Sequence, residues 1–181
     1  MLRTHQPSAR RIVDVGCGRG GFVDICRQQM EGVLGLDPEP SAARICDAQG
    51  LPFLLGDAVA LPFGPASLDV VRAKEVIEHL THPMSMLREV HRVLRPGGLF
   101  LCHVPSQFSA LYPVGNFWDD YTHVRPLSRV GLRRLLEDGG FEIGFIRGYT
   151  SGRNLPERFL GRLLGVVLPH MWRALARKPL S

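Results

Sequence analysis

The chain has 181 residues, enough for one domain with a sizeable core, and its 45% apolar, 22% charged composition is that of a globular protein. No apolar run reaches bilayer length, residues 1–10 lack the apolar stretch of a signal peptide, and Cys17, Cys26, Cys46 and Cys102 show no paired spacing. These features argue against a membrane span, a zinc framework and a disulfide scaffold, and a reducing cytoplasm is the expected location. The formal charge of +5 is unevenly placed: residues 1–146 carry 15 Lys or Arg against 16 Asp or Glu, while residues 147–181 carry seven basic residues against Glu157 alone.

About ten residues precede the first apolar run, too few for a substantial cap. That run, Arg11-Ile12-Val13-Asp14-Val15, breaks into Gly16-Cys17-Gly18-Arg19-Gly20-Gly21 and resumes at helical spacing over residues 20–30, with Phe22, Val23, Ile25, Cys26 and Met30 on one side. This predicts strand, tight loop, helix, with glycines that take positive φ and let a ligand approach the main chain. Gly16-x-Gly18-x-x-Gly21 also satisfies a dinucleotide fingerprint, so the spacing alone leaves the ligand open. Asp14 discriminates. It falls in a strand buried on both faces, and a buried carboxylate needs a counter-charge because desolvation costs roughly several kcal/mol. The ammonium and sulfonium of S-adenosylmethionine would supply one; a nearby arginine or backbone amides are the structural alternative.

Residues 32–37 form a short apolar strand ending in Asp37-Pro38, with Pro38 opening a helix to residue 49. Residues 53–56 give a third strand followed by Asp57, and residues 68–72 a fourth. A helix begins at His82-Pro83, carries Met86, Leu87, Val90, Val93 and Leu94 at helical spacing, and stops at Arg95-Pro96-Gly97-Gly98. Residues 99–104 make a fifth strand. Residues 105–126 form a long aromatic loop, Ser128 caps a helix to residue 138, residues 141–149 alternate like a sixth strand, and a seventh is expected near residues 171–177. Strands alternating with helices predict an α/β fold: a Rossmann-like, doubly wound, mostly parallel sheet of six to seven strands covered on both faces. The expected organisation is a domain over residues 1–149 and a basic amphipathic segment over residues 150–181.

Asp14, Asp37 and Asp57 fall at the ends of three successive strands, where open parallel sheets bind ligands. Singly each reads as a turn or capping aspartate; beside the glycine loop the three read as a site. Asp37 is placed to accept two ribose hydroxyls, and Asp57 to accept from an adenine amine while the Ala58 amide donates to a ring nitrogen.

Residues 11–149 resemble the class I S-adenosylmethionine-dependent methyltransferases of the type 11 group. The likeness is carried by Val13-Asp14-Val15-Gly16-Cys17-Gly18-Arg19-Gly20, Gly35-Leu36-Asp37-Pro38, Gly56-Asp57-Ala58, Leu61-Pro62-Phe63, Leu68-Asp69-Val70-Val71, Val76-Ile77-Glu78-His79-Leu80, and Glu89-Val90-His91-Arg92-Val93-Leu94-Arg95-Pro96-Gly97-Gly98. The resemblance implies S-adenosylmethionine as cofactor, a seven-stranded sheet with an antiparallel last strand, and a loop from Gly16 through Cys17 and Gly18 to Gly20 around the methionine moiety. It implies further that Asp37 and Pro38 lie at the ribose, Asp57 and Ala58 at the adenine, and Asp14, Ala73 and His79 along the cofactor edge. The chain departs from the pattern in its short N-terminal lead and in the basic stretch after Tyr149, which is expected to displace the final hairpin. Enclosure of the cofactor is therefore expected from residues 105–126.

Methyl transfer from a sulfonium depends on positioning and needs a base only if the acceptor must lose a proton. His79, His103 and His123 are the candidates. His123 stands best, in Phe117-Trp118-Asp119-Asp120-Tyr121-Thr122-His123-Val124-Arg125-Pro126, where Asp120 would orient it; the alternative is a hydrogen-bonded cluster of His123 and Arg125 that stiffens the loop. No metal is expected, because Asp119, Asp120 and His123 lack an evident fourth ligand.

The expected acceptor is a small molecule, a glycan or a lipid-linked compound, with a nicotinamide-dependent oxidoreductase or a non-catalytic S-adenosylmethionine-binding module as alternatives. Phe159, Leu160, Leu163, Leu164, Val167 and Leu168 share one helical face and Arg158 and Arg162 another, so residues 155–178 read as a peripheral contact with the inner face of a membrane or as a helix docked on the sheet. Nucleic acid is disfavoured, since aromatics do not interleave with the basic residues. Neither the oligomeric state nor the methylated atom follows from the sequence.

Overall fold

A computed structural model describes residues 9–111, 116–149 and 169–180. Seven strands form one sheet: β1 (Ile12–Val15), β2 (Val33–Asp37), β3 (Phe53–Leu55), β4 (Leu68–Lys74), β5 (Leu94–Pro105), β6 (Glu142–Tyr149) and β7 (Met171–Arg177), in the spatial order β3-β2-β1-β4-β5-β7-β6. Pairings from β3 through β5 are parallel, and β7 runs antiparallel to both β5 and β6. The helices are α1 (Gly21–Arg27), α2 (Pro40–Ala48), α3 (Pro83–Val93) and α4 (Arg129–Asp138).

The period-two alternation of each strand divides the core. Val13, Val15, Val71 and Phe100 pack with Leu87 and Val90 of α3 and Leu132 and Leu136 of α4, whereas Ile12, Val70, Leu99 and Leu101 pack with Val23 of α1 and Cys46 of α2. The chain leaves β1 toward β2 and later returns to its other side as β4, so the strand order reverses at β1 and a crevice opens at the carboxyl ends there.

Several expected boundaries move. α1 ends at Arg27 rather than residue 30, and Ile25 points outward at 63% exposure. α2 begins at Pro40, not Pro38, because an Asp37 side-chain oxygen accepts from Glu39 N at 3.0 Å and holds residues 37–39 in a turn. The stretch Arg95-Pro96-Gly97-Gly98 lies within β5, absorbed by a register shift with Gly97 at φ 73°.

The largest correction concerns the C-terminal stretch. Residues 171–177 are an interior strand that completes the β6–β7 pairing, so the final hairpin is not displaced. Trp172 is buried and its Nε1 donates to Leu127 O at 3.0 Å. The expected boundary at residue 150 therefore leaves out a strand of the sheet, and residues 171–177 are unavailable for a membrane contact. Residues 155–168, where the amphipathic helix was expected, lie outside the described residues. Among the described residues no helix is long and apolar enough to cross a membrane.

Candidate active site

The loop after β1 turns on three left-handed glycines with distinct duties. A Cβ on Gly16 (φ 68°) would stand 2.4 Å from Val76 Cγ2, and one on Gly20 (φ 74°) 2.4 Å from Leu51 Cδ1, so both permit close packing. At Gly18 (φ 51°) a Cβ would meet no atom within 4 Å. The loop thus faces open space at Gly18, as a ligand cradle requires. Gly18 N donates to Asp37 Oδ2 at 2.9 Å, tying the loop to the end of β2, and Gly20 caps α1.

The remaining cofactor-side candidates differ in how much of each is free. Asp14 is 1% exposed and forms an ion pair with Arg72 of β4, whose guanidinium lies 4.2 Å above the Phe22 ring. Burial pushes the Asp14 carboxyl up against the pull of Arg72. Its counter-charge is internal, so the argument that Asp14 needs a ligand cation does not hold. Cys17 is buried against Gly35, where burial pushes its thiol up; Ala73 is buried in the core and offers a ligand no more than its backbone. Pro38 and Asp57 are exposed, Asp57 Oδ1 accepts from Val59 N at 3.0 Å, and Ala58 is buried beside it.

Across the crevice, residues 116–126 fold back over the end of β4. Val124 N donates to Glu78 O at 2.8 Å and Arg125 Nη2 to Thr81 O at 2.9 Å, fixing the loop on the short 3₁₀ turn Ile77–His79. A second such turn, Phe117–Asp119, is capped by Asn116. Between loop and sheet lies a cavity of about 600 Å³ whose wall includes Gly16, Glu75, His79, Phe117, His123 and Tyr149. Glu75 holds φ 57°, a strained conformation for a non-glycine residue, at the carboxyl end of β4.

The hydrogen bonds of His79 and His123 assign their protons. His123 Nδ1 lies 2.6 Å from Phe117 O and must donate to it; its ring stacks 4.4 Å from the Phe117 ring. Thr122 Oγ1 gives its hydrogen to Asp120 Oδ1 (2.6 Å) and therefore accepts from His79 Nδ1 (2.8 Å). Asp120 thus orients His79 through Thr122 and not His123 as expected, since its Oδ2 is 3.9 Å from His123 Nε2, beyond hydrogen-bond reach. The imidazole rings stand 4.6 Å apart, and burial with the neighbouring His123 pulls His79 down, favouring its neutral form. Thr122 holds the Asp120 carboxyl below its ordinary range. His103 is set back on β5 and bonds the Tyr149 hydroxyl at 3.1 Å; burial, with Arg72 nearby, lowers it to about 4. His123 and Arg125 each fasten the loop, through Phe117 O and Thr81 O, but do not hydrogen-bond to each other as the expected cluster would.

Sequence reasoning missed Glu78. The residue is 1% exposed, neither carboxyl oxygen has a hydrogen-bond partner of good geometry, and burial, opposed by its own main-chain N–H and aided by the charges of Glu75 and Asp120, pushes it up to about 8. The available signal was the pair Glu78-His79 directly after a strand entering the crevice: with His79 turned to the cavity, its neighbour must face inward.

Residues 13–102 match the methyltransferase domain family. The chain is 31% identical to a probable S-adenosylmethionine-dependent methyltransferase of Mycolicibacterium smegmatis, over 97% of this chain and 68% of that protein. It is 37% identical to phthiotriol/phenolphthiotriol dimycocerosates methyltransferase 1 of Mycobacterium ulcerans, over 94% of this chain and 62% of that protein. An S-adenosylmethionine-dependent methyltransferase of Archaeoglobus fulgidus superposes with a TM-score of 0.77 at 22% identity, covering 98% of this chain and 91% of that one. The chain thus spans about two thirds of the length of these two curated relatives. The nicotinamide alternative left by the glycine spacing is set aside, and the chain belongs to the class I S-adenosylmethionine-dependent methyltransferases.

Proposed function

We propose that this chain transfers a methyl group from S-adenosylmethionine to a small-molecule, glycan or lipid-linked acceptor whose reacting end enters the cavity between the glycine loop and residues 116–124. One observation carries the reading: Gly16 of the cofactor loop and the polar pair His79 and His123 line the same cavity of about 600 Å³, a volume suited to a small ligand. Bound S-adenosylmethionine supplies an electrophilic methyl group on a sulfonium. The open face of Gly18 suits the methionine moiety, and Asp37, already fixed by Gly18 N and Glu39 N, has lone pairs left for ribose hydroxyls. Asp57 and Ala58 stand for the adenine. Phe117 and the hydrogen-bonded histidines position the acceptor, and His123 Nε2, left with its lone pair by the Phe117 contact, is the group able to take a proton from it.

A lipid-linked acceptor gains support from the name of the Mycobacterium ulcerans relative, a dimycocerosates methyltransferase. Incubating the chain with radiolabelled cofactor and either aqueous or organic-soluble cell extracts tests both levels. Label in the organic phase, suppressed by S-adenosylhomocysteine, is expected; label confined to aqueous metabolites would remove the lipid reading, and none in either phase would remove the enzymatic one.

A further inference from the structure

Glu78 presents a problem that methyl transfer does not solve. A buried carboxyl group with two unpartnered oxygens is costly, and such an orphan calls for an unseen partner. Glu75 and Asp120 add negative charge around it, and Lys74 opposes them more weakly. The partner this field favours is a cation. One donor atom each from Glu78, His79 and His123 lies within 4.8 Å of the other two.

The surrounding hydrogen bonds prepare the histidines for that partner. Both Nδ1–H groups are committed, to Phe117 O and to the Thr122 hydroxyl held by Asp120, so each ring keeps its free lone pair at Nε2. Outer hydrogen bonds of this kind orient metal-binding imidazoles and raise their basicity. We propose that Glu78, His79 and His123 bind a divalent transition-metal cation at the edge of the cavity. Donors bonded at ~2.1 Å to one ion stand roughly 3–3.5 Å apart, so from separations of up to 4.8 Å the cluster closes by at most roughly 1.3–1.8 Å, within reach of side-chain rotation for the half-buried His79 ring. Two nitrogens and one carboxylate suit Zn²⁺, Co²⁺, Fe²⁺ or Mn²⁺ and leave coordination positions open toward the cavity. Resting on the methyltransferase reading, those positions would take an oxygen of the acceptor and orient it, with His123 Nε2 then a metal ligand instead of the proton acceptor it is in the metal-free site; the binding site itself stands apart from that reading.

The test is a spectroscopic titration of chelator-treated full chain with Co²⁺. One equivalent should bind with visible d–d absorption that Zn²⁺ abolishes. Glu78→Gln and His123→Asn should each weaken binding by about 100-fold or more, and Thr122→Val, which strips the acceptor from His79 Nδ1, by about tenfold. Calorimetry with S-adenosylmethionine on the same samples reports folding and the cofactor reading separately. Co²⁺ binding without cofactor binding would retain the metal site and count against the methyltransferase reading. Absence of the band up to about 1 mM Co²⁺, or equal affinity in wild type and variants, would overturn the metal site even if the cofactor binds. If Glu78→Gln or His123→Asn does not fold, His79→Gln and Thr122→Val decide between the same two outcomes.

Discussion

Asp14 and Arg72 face one another across the β1–β4 ladder and close a buried ion pair on the side of the sheet covered by α1. Removing one member leaves the other charge stranded, with Arg72 only 15% exposed. Asp14→Ala should therefore lower unfolding free energy by about 3–5 kcal/mol in denaturant titrations. Loss of cofactor affinity with unchanged stability would instead mean that the pair does not hold the sheet and that a ligand is the partner of Asp14.

Gly18→Val and Asp37→Ala separate cradle from scaffold. A Cβ at Gly18 meets no protein atom within 4 Å, so Gly18→Val should cost only about 1–2 kcal/mol of backbone strain while abolishing measurable cofactor binding. Asp37→Ala releases Gly18 N and Glu39 N as well as the proposed ribose contact, so affinity should fall roughly 10- to 100-fold and stability with it. Calorimetry and thermal melts on both variants check this; unchanged affinity in Gly18→Val would reduce the loop to a turn.

His123→Ala should reduce both turnover and stability, because the ring stacks on Phe117 and donates to its carbonyl. A loss of about 1–3 kcal/mol is expected from the hydrogen bond and the packing together. Thermal melts beside kcat measurements report the two effects; full turnover in the variant would exclude proton transfer by His123.

Asp69 governs the acid limb of stability. Burial alone would raise its carboxyl, but the Arg10 and Arg11 amides and the Arg95 and Arg11 guanidinium groups outweigh burial and hold it at about 2 against an ordinary 3.8. Because the folded value is the lower one, the stabilisation is present above about pH 4 and disappears as pH falls through about 2. It amounts to about 2 kcal/mol. Asp69→Asn should be destabilised by about that amount at pH 7 and match wild type near pH 2, measured by denaturation across pH. A gap that persists at pH 2 would assign the loss to packing.

Much of the fold was legible because strand alternation, proline and glycine act locally. The glycine loop, the acids ending β1 and β2, and the sixth and seventh strands all follow from neighbours in sequence. What escaped depends on distant partners. Nothing around Asp14 announces Arg72, 58 residues away. Asp120 lies three residues from His123 yet serves His79, because the path through Thr122 exists only once the loop has folded onto the turn after β4. For Glu78 the pair with His79 signals an inward-facing side chain, but not its isolation, which depends on the loop above it. The bulge that draws Arg95-Pro96-Gly97-Gly98 into β5 was hidden for the same reason: in sequence those residues spell a stop.

β7 follows every other strand in the chain yet sits inside the sheet, between β5 and β6. Vectorial synthesis therefore delivers β6 before the strand it must pair with. Until residues 171–177 leave the ribosome, β5 keeps an open edge that includes Phe100, Leu101, Cys102 and Val104, all buried in the finished protein. Such an edge invites strand addition from other chains. The nascent chain is thus most vulnerable in the interval between making β6 and making β7, and a premature stop there would yield an aggregating product even though the glycine loop, His79 and His123 had already been made.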